Sequence, residues 1–69
     1  MTGAQLIARR RRLWMTQQQL ADLAGISAGT LCRLEADLRK PAPRTARRLE
    51  AALIAYGVFR AQLREQMAS

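Results

Sequence analysis

The sequence predicts an all-α protein, a compact bundle of four to five helices. Three observations carry that prediction. Alanine, leucine, arginine and glutamine dominate the 69 residues, and β-branched residues are sparse, a composition that favours helix over strand. No segment alternates apolar and polar residues strictly enough to make a strand. Thr, Ser, Gly and Pro stand where helices start and stop, separating apolar stripes of helical period.

The first helix is expected from about Ala4 to Leu13. Thr2 with Gln5 forms a capping-box pattern at its start. Leu6 and Leu13 form one stripe, with Ile7 beside it. Arginines 9 to 12 advance about 100° each and cannot share a face. At least one is expected at the core edge, its stem packed and its head outside. The second helix starts at Gln17, with Thr16 as N-cap and Gln19 completing a second capping box. Its buried candidates are Leu20, Ala21, Leu23 and Ala24. Gly25 ends it in the left-handed backbone that helix C-termini favour.

The third helix follows Ser27, a good N-cap, and runs to about Glu35. Leu31 and Leu34 face inward, leaving Ala28, Gly29, Cys32 and Arg33 outside. Residues 36–42 form a loop. Pro43 suits the first position of a fourth helix, which carries Leu49 and Leu53, with Ala46, Ala52 and Tyr56 near the same stripe. Two arrangements are open beyond it. Leu53, Tyr56, Leu63 and Met67 fit one long helix. Gly57, which costs about 1 kcal/mol inside a helix, favours a break and a fifth helix from Val58 to about Met67; the break is the expectation.

Such a chain makes one domain, burying about 60% of the surface its unfolded form exposes. It has no room for an enclosed active site backed by a second layer. Twelve Lys and Arg against five Asp and Glu give a net charge of +7 and a sequence pI near 11.6. Eleven of the twelve are arginine, which favours bidentate contacts to phosphate or guanine. The charge points to a polyanionic partner; a solvated basic surface is the duller reading. Cys32 is the only cysteine and histidine is absent, so neither an intramolecular disulfide nor a His/Cys metal set is expected. Without a nucleophile–base pair or a phosphate loop, neither an enzyme nor a cofactor is expected. The arginine run leads into no long apolar core of a secretory signal, and no apolar run reaches membrane-spanning length. A cytoplasmic protein is the expectation.

Residues 17–35 carry the most information. They read as two short helices joined by a tight turn, with Ala21 at their closest approach, Gly25 at the corner, and Leu20, Ala24, Ile26, Leu31 and Leu34 buried. That is the spacing of a helix-turn-helix, whose second helix enters the DNA major groove. The chain resembles the phage-repressor type of helix-turn-helix domain, the lambda-repressor-like and Cro-like proteins. The resemblance rests on Thr16-Gln17-Gln18-Gln19-Leu20-Ala21, Ala24-Gly25-Ile26-Ser27, Leu31, Arg33-Leu34-Glu35 and Pro41, and covers about residues 4–54. It implies a bundle of four or five helices that binds palindromic operator DNA as a homodimer. It also implies that Gln17 lies at the DNA backbone or reaches a base edge, that the outer face of the third helix reads bases, and that Arg10 pairs with Glu35 with its head near a phosphate. Trp14 and Asp37 stand where the family often has glycine. A left-handed backbone is costly for tryptophan, so the first helix is expected to end differently here; aspartate tolerates that geometry better.

Residues 1–56 are therefore expected to form the DNA-binding domain, and 57–69 a helical extension suited to dimerisation. Arg33 is the best candidate for direct base reading, through O6 and N7 of guanine; the alternative is a phosphate contact or a solvated arginine. Ala28 and Gly29 donate no side-chain hydrogen bond. Ala28 suits a thymine methyl and Gly29 a close approach to the groove floor, or both leave specificity to DNA shape. Gln17, Ser27 and Thr30 suit phosphate oxygens near helix N-termini, with capping alone as the alternative for Ser27. Arg39, Lys40 and Arg44 flank the groove, gripping backbone or entering the minor groove, unless their loop is merely solvated. Cys32 reads as a small residue near the surface rather than a redox switch. Tyr56, Val58, Phe59, Leu63 and Met67 form an apolar set assigned to a dimer contact, with completion of the monomer core as the alternative. The function expected is a sequence-specific regulator of transcription, a repressor. The alternative is an antitoxin-type adaptor that holds a toxin through the C-terminal set and binds DNA only to autoregulate.

Overall fold

The computed structural model describes residues 1–68; Ser69, the last residue of the expected extension, lies outside them. Four helices occupy the described residues: α1 (Gly3–Arg12), α2 (Gln17–Ala24), α3 (Ala28–Glu35) and α4 (Pro43–Ala68). No strand occurs among the described residues. Both capping boxes are complete. Thr2 Oγ1 accepts from Gln5 N at 3.1 Å and Gln5 Oε1 accepts from Thr2 N at 2.8 Å. The Thr16–Gln19 pair repeats this at 3.0 and 2.9 Å. Each box satisfies two backbone donors that a helix start would otherwise leave unpaired.

α1, α2 and α3 end by one device. A residue at positive φ (Trp14 at 58°, Gly25 at 71°, Asp37 at 58°) turns the chain. Two hydrogen bonds close each turn: Trp14 N to Arg11 O and Met15 N to Arg10 O, Gly25 N to Asp22 O and Ile26 N to Ala21 O, Asp37 N to Leu34 O and Leu38 N to Arg33 O. This is the Schellman pattern. It corrects the expectation for Trp14, which takes the left-handed backbone despite its Cβ. The strain of about 1–2 kcal/mol is offset by the two bonds and by seating Met15 in the core at 4% exposure.

The core is Leu6, Met15, Leu20, Ala21, Ala24, Leu31, Leu34, Leu49, Ala52 and Leu53, with Leu13, Ile26, Ala28 and Tyr56 packed against it. Leu20, Leu31 and Leu49 are its largest fully buried side chains, each worth about 1.5–3 kcal/mol of burial, and they tie α2, α3 and α4 together. Leu23 is not part of it: it is 53% exposed. On α2 the buried stripe runs through Leu20, Ala21 and Ala24, and Leu23 lies about 100° round from its centre. Ala28, expected outside, is half-buried against the core.

The predicted break at Gly57 does not occur, and α4 runs through it for 26 residues. A Cβ at Gly57 would stand 3.7 Å from Leu13 Cδ2, so the body of the protein packs on the helix there. Good helix formers on both sides and that contact outweigh the cost of about 1 kcal/mol for one glycine. α4 is about 39 Å long and gives the molecule its 44 × 19 × 18 Å shape. Residues 61–68 are all exposed.

Polar contacts hold α1 to α4 and to the end of α3. Arg9 Nη1 and Nη2 donate to Glu50 Oε2 and Oε1 at 2.5 and 2.9 Å, clamping α1 to α4. Hydrogen bonding from Arg9 holds the Glu50 carboxyl below the usual carboxylate range, and the same bonds push the Arg9 guanidinium up. At the other end, Gly3 N donates to Asp37 Oδ1 at 2.9 Å. A Cβ on Gly3 would stand 2.8 Å from Leu34 O and 2.9 Å from Asp37 Oδ1, and nearer still to Glu35 O. Only glycine lets the start of α1 rest on the end of α3.

Candidate nucleic-acid interface

The corner between α2 and α3 is Gly25-Ile26-Ser27. Gly25 supplies the left-handed turn, and Ile26 is half-buried against the core. Ser27 Oγ accepts from Thr30 N at 3.1 Å and donates to Thr30 Oγ1 at 2.8 Å. Both hydroxyls are thus held together at the start of α3, where the helix end carries partial positive charge. Ser27 is exposed and Thr30 half-buried.

Along α3, Leu31, Leu34 and Glu35 are buried, while Gly29, Cys32 and Arg33 are exposed. Nothing lies within 4 Å of where a Cβ on Gly29 would stand. No contact within the protein requires glycine there. Arg33 is the one basic residue on α3 and makes no ion pair among the described residues. Arg39 and Lys40 are exposed in the loop after α3, and Arg44 is exposed at the start of α4. Arg39 and Lys40 rim an open hollow of about 430 Å³ that reaches in to Leu6, Leu34 and Ala46.

A buried carboxylate holds α3 to the rest of the protein. Glu35 Oε2 accepts from Arg10 Nε at 2.7 Å, and Oε1 accepts from Arg10 Nη2 at 3.1 Å and Gln17 Nε2 at 2.8 Å. Arg10 Nη1 donates to Met15 O at 2.9 Å. The Arg10 and Glu35 side chains are 11% and 4% exposed. The Arg10–Glu35 pair is as the resemblance implied, but the Arg10 head, which the resemblance sets near a phosphate, lies inside the protein. Its guanidinium is spent on Glu35 and a backbone carbonyl. Gln17, expected at the DNA backbone, has its amide nitrogen on Glu35, at the junction of α1, α2 and α3.

The structure thus groups Gln17, Ser27, Thr30, Gly29 and Arg33 on or beside the corner and α3, places Arg39 and Lys40 in the loop that follows and Arg44 at the start of α4, and sets Arg10 underneath as support. Sequence reading gave Met15 no role in the core and assigned none to Gly3, Arg9 or Glu50. The polar signal for Arg9 and Glu50 was their opposite charge, which spacing alone cannot pair across 41 positions.

A capped α2, a left-handed corner and a half-exposed α3 on a basic helical body define a helix-turn-helix DNA-binding domain. A family model described as helix-turn-helix matches residues 6–54. The chain belongs to that family, of the Cro and phage-repressor type, and is a DNA-binding regulator of transcription. Comparison with curated proteins and with solved structures gives no match. Among the described residues no helix is long and apolar enough to cross a membrane.

Proposed function

We propose that the protein is a cytoplasmic, sequence-specific repressor that binds a palindromic operator as a homodimer, with α3 in the major groove. The observation that carries this reading is Arg33: an exposed guanidinium on a helix fixed from beneath by the Arg10–Glu35 pair. It reads guanine through O6 and N7. Gly29, exposed and facing open space, leaves α3 room to approach the groove floor. Ser27, Thr30 and Gln17 meet phosphate oxygens near the starts of α2 and α3, and Arg39, Lys40 and Arg44 neutralise phosphates to the side. Arg10 acts through Glu35 and Gln17.

Selection of bound duplexes from a random pool at fixed salt tests this. The expected outcome is an enriched motif with two half-sites about 34–36 Å apart. Retention of all sequences alike would overturn it. A second reading, an antitoxin-type adaptor, is favoured by Phe59, Leu63 and Met67, which are 55%, 44% and 80% exposed. Stoichiometric co-purification of a small toxin partner supports that reading, and its absence removes it.

A further inference from the structure

α4 carries a second line of residues on its outer side, with Ala51 also at the edge of an open hollow against α2. Leu49, Ala52, Leu53 and Tyr56 pack inward. Roughly opposite, at about 100° per residue, run Arg47, Ala51, Ile54, Val58, Ala61 and Glu65. Their spacing alternates between four and three residues, the spacing of a seam between paired helices. All six are exposed, Ile54 by 56% and Val58 by 53%. Neither Arg47 nor Glu65 makes an ion pair among the described residues.

The line is self-complementary about the level of Tyr56. Ile54 and Val58 stand two residues either side of it, Ala51 and Ala61 five, Arg47 and Glu65 nine. We propose that this line is the contact with a second copy of the chain, α4 against α4, antiparallel, with the two-fold axis at Tyr56. In that register Ile54 packs on Val58 of the second copy, and Ala51 faces Ala61. Arg47 meets Glu65 at both ends. The alanines let the helix axes approach to about 8 Å. The contact is isologous, as a two-fold requires.

Charge selects this register and orientation. Parallel pairing sets Arg47 on Arg47 and Glu65 on Glu65. An antiparallel pair slipped by seven residues sets Arg47 on Val58 and leaves Glu65 beyond the end of the opposing α4. The apolar centre supplies affinity, while exposed charge pairs mainly exclude the wrong pairings. The seam also accounts for the length of α4. Its second half, beyond the body, lies along the first half of the opposing α4, and an unbroken helix through Gly57 is needed for that. Of the five residues assigned to a dimer contact from sequence, only Val58 lies on this line. Phe59, Leu63 and Met67 lie to another side.

The proposal rests on the homodimer reading, and sedimentation of the full chain separates the two. The expected results are a dimeric native protein, a dissociation constant weakened roughly tenfold by either Arg47→Glu or Glu65→Arg, and its recovery in the double charge exchange. Val58→Asp is expected to give folded monomers by circular dichroism, and Leu63→Glu to remain dimeric. A dimer indifferent to Val58→Asp but lost in Leu63→Glu would overturn the seam and keep the homodimer. So would a double exchange no better than its parents. A native chain monomeric throughout would overturn both.

Discussion

Removing the carboxylate of Glu35 should cost this protein a large share of its stability. Glu35 accepts from Arg10 at 2.7 and 3.1 Å and from Gln17 at 2.8 Å, with its side chain only 4% exposed. In Glu35→Ala the Arg10 guanidinium stays buried with Met15 O as its remaining partner. Breaking one side of a buried pair costs about 3–5 kcal/mol. A chain of this length holds only about 3–10 kcal/mol in all, from roughly 0.05–0.15 kcal/mol per residue. Thermal unfolding followed by circular dichroism should show a fall in Tm of at least about 12 °C, at about 4–8 °C per kcal/mol for a domain of this size. The cost comes from the stranded charge, not from loss of an intrinsically favourable pair. Arg10→Met with Glu35→Leu should therefore recover most of it, since apolar replacement of a whole buried pair is often neutral. Glu35→Ala within about 1 kcal/mol of the native protein, or a double variant no more stable than the single, would refute the reasoning.

Other outcomes follow from the same geometry. Gly3→Ala should destabilise by about 1–3 kcal/mol, as overpacking does, because three oxygens crowd its Cβ; Gly29→Ala, facing open space, should gain up to about 1 kcal/mol in helix propensity. Urea unfolding of both variants checks the contrast. The Glu50 carboxyl is lowered by its bonds to Arg9, so its contribution is fully present above the ordinary carboxylate range and is lost as pH falls through the lowered value. The stability gap between the native protein and Glu50→Gln should accordingly close in acid, and a gap that stayed constant with pH would count against the clamp. On the operator, Arg33→Ala should cost about 1–3 kcal/mol and relax selectivity at one base pair, whereas Arg39→Ala should weaken all duplexes alike and reduce the salt slope by about one. Equal losses for Arg33→Ala on operator and random DNA would remove it as a reader.

Caps and corners were legible because they are local. Thr2 with Gln5, Thr16 with Gln19, Ser27, Gly25 and Pro43 each act on backbone within four residues, so the starts of all four helices and the helix-turn-helix corner could be placed from the chain alone. The apolar stripes through Leu20, Leu31, Leu34, Leu49 and Leu53 were equally plain. They have helical period and nothing else to do but pack. Arg33 was legible as an exposed residue of α3 for the complementary reason, lying off that stripe.

What the chain could not disclose was decided between helices. Leu23 is as apolar as Leu20, and only the angle at which α2 meets its neighbours leaves it outside. Trp14 takes a backbone its side chain disfavours because Met15 must reach the core. Gly57 stays helical because Leu13 packs beside it, and Arg10 turns inward because Glu35, 25 positions away, waits there. Order along the chain therefore determined where each helix starts and which stripe of each is apolar. Only packing in three dimensions chose which neighbour that face meets, because burial and charge pairing depend on distances that sequence separation does not measure.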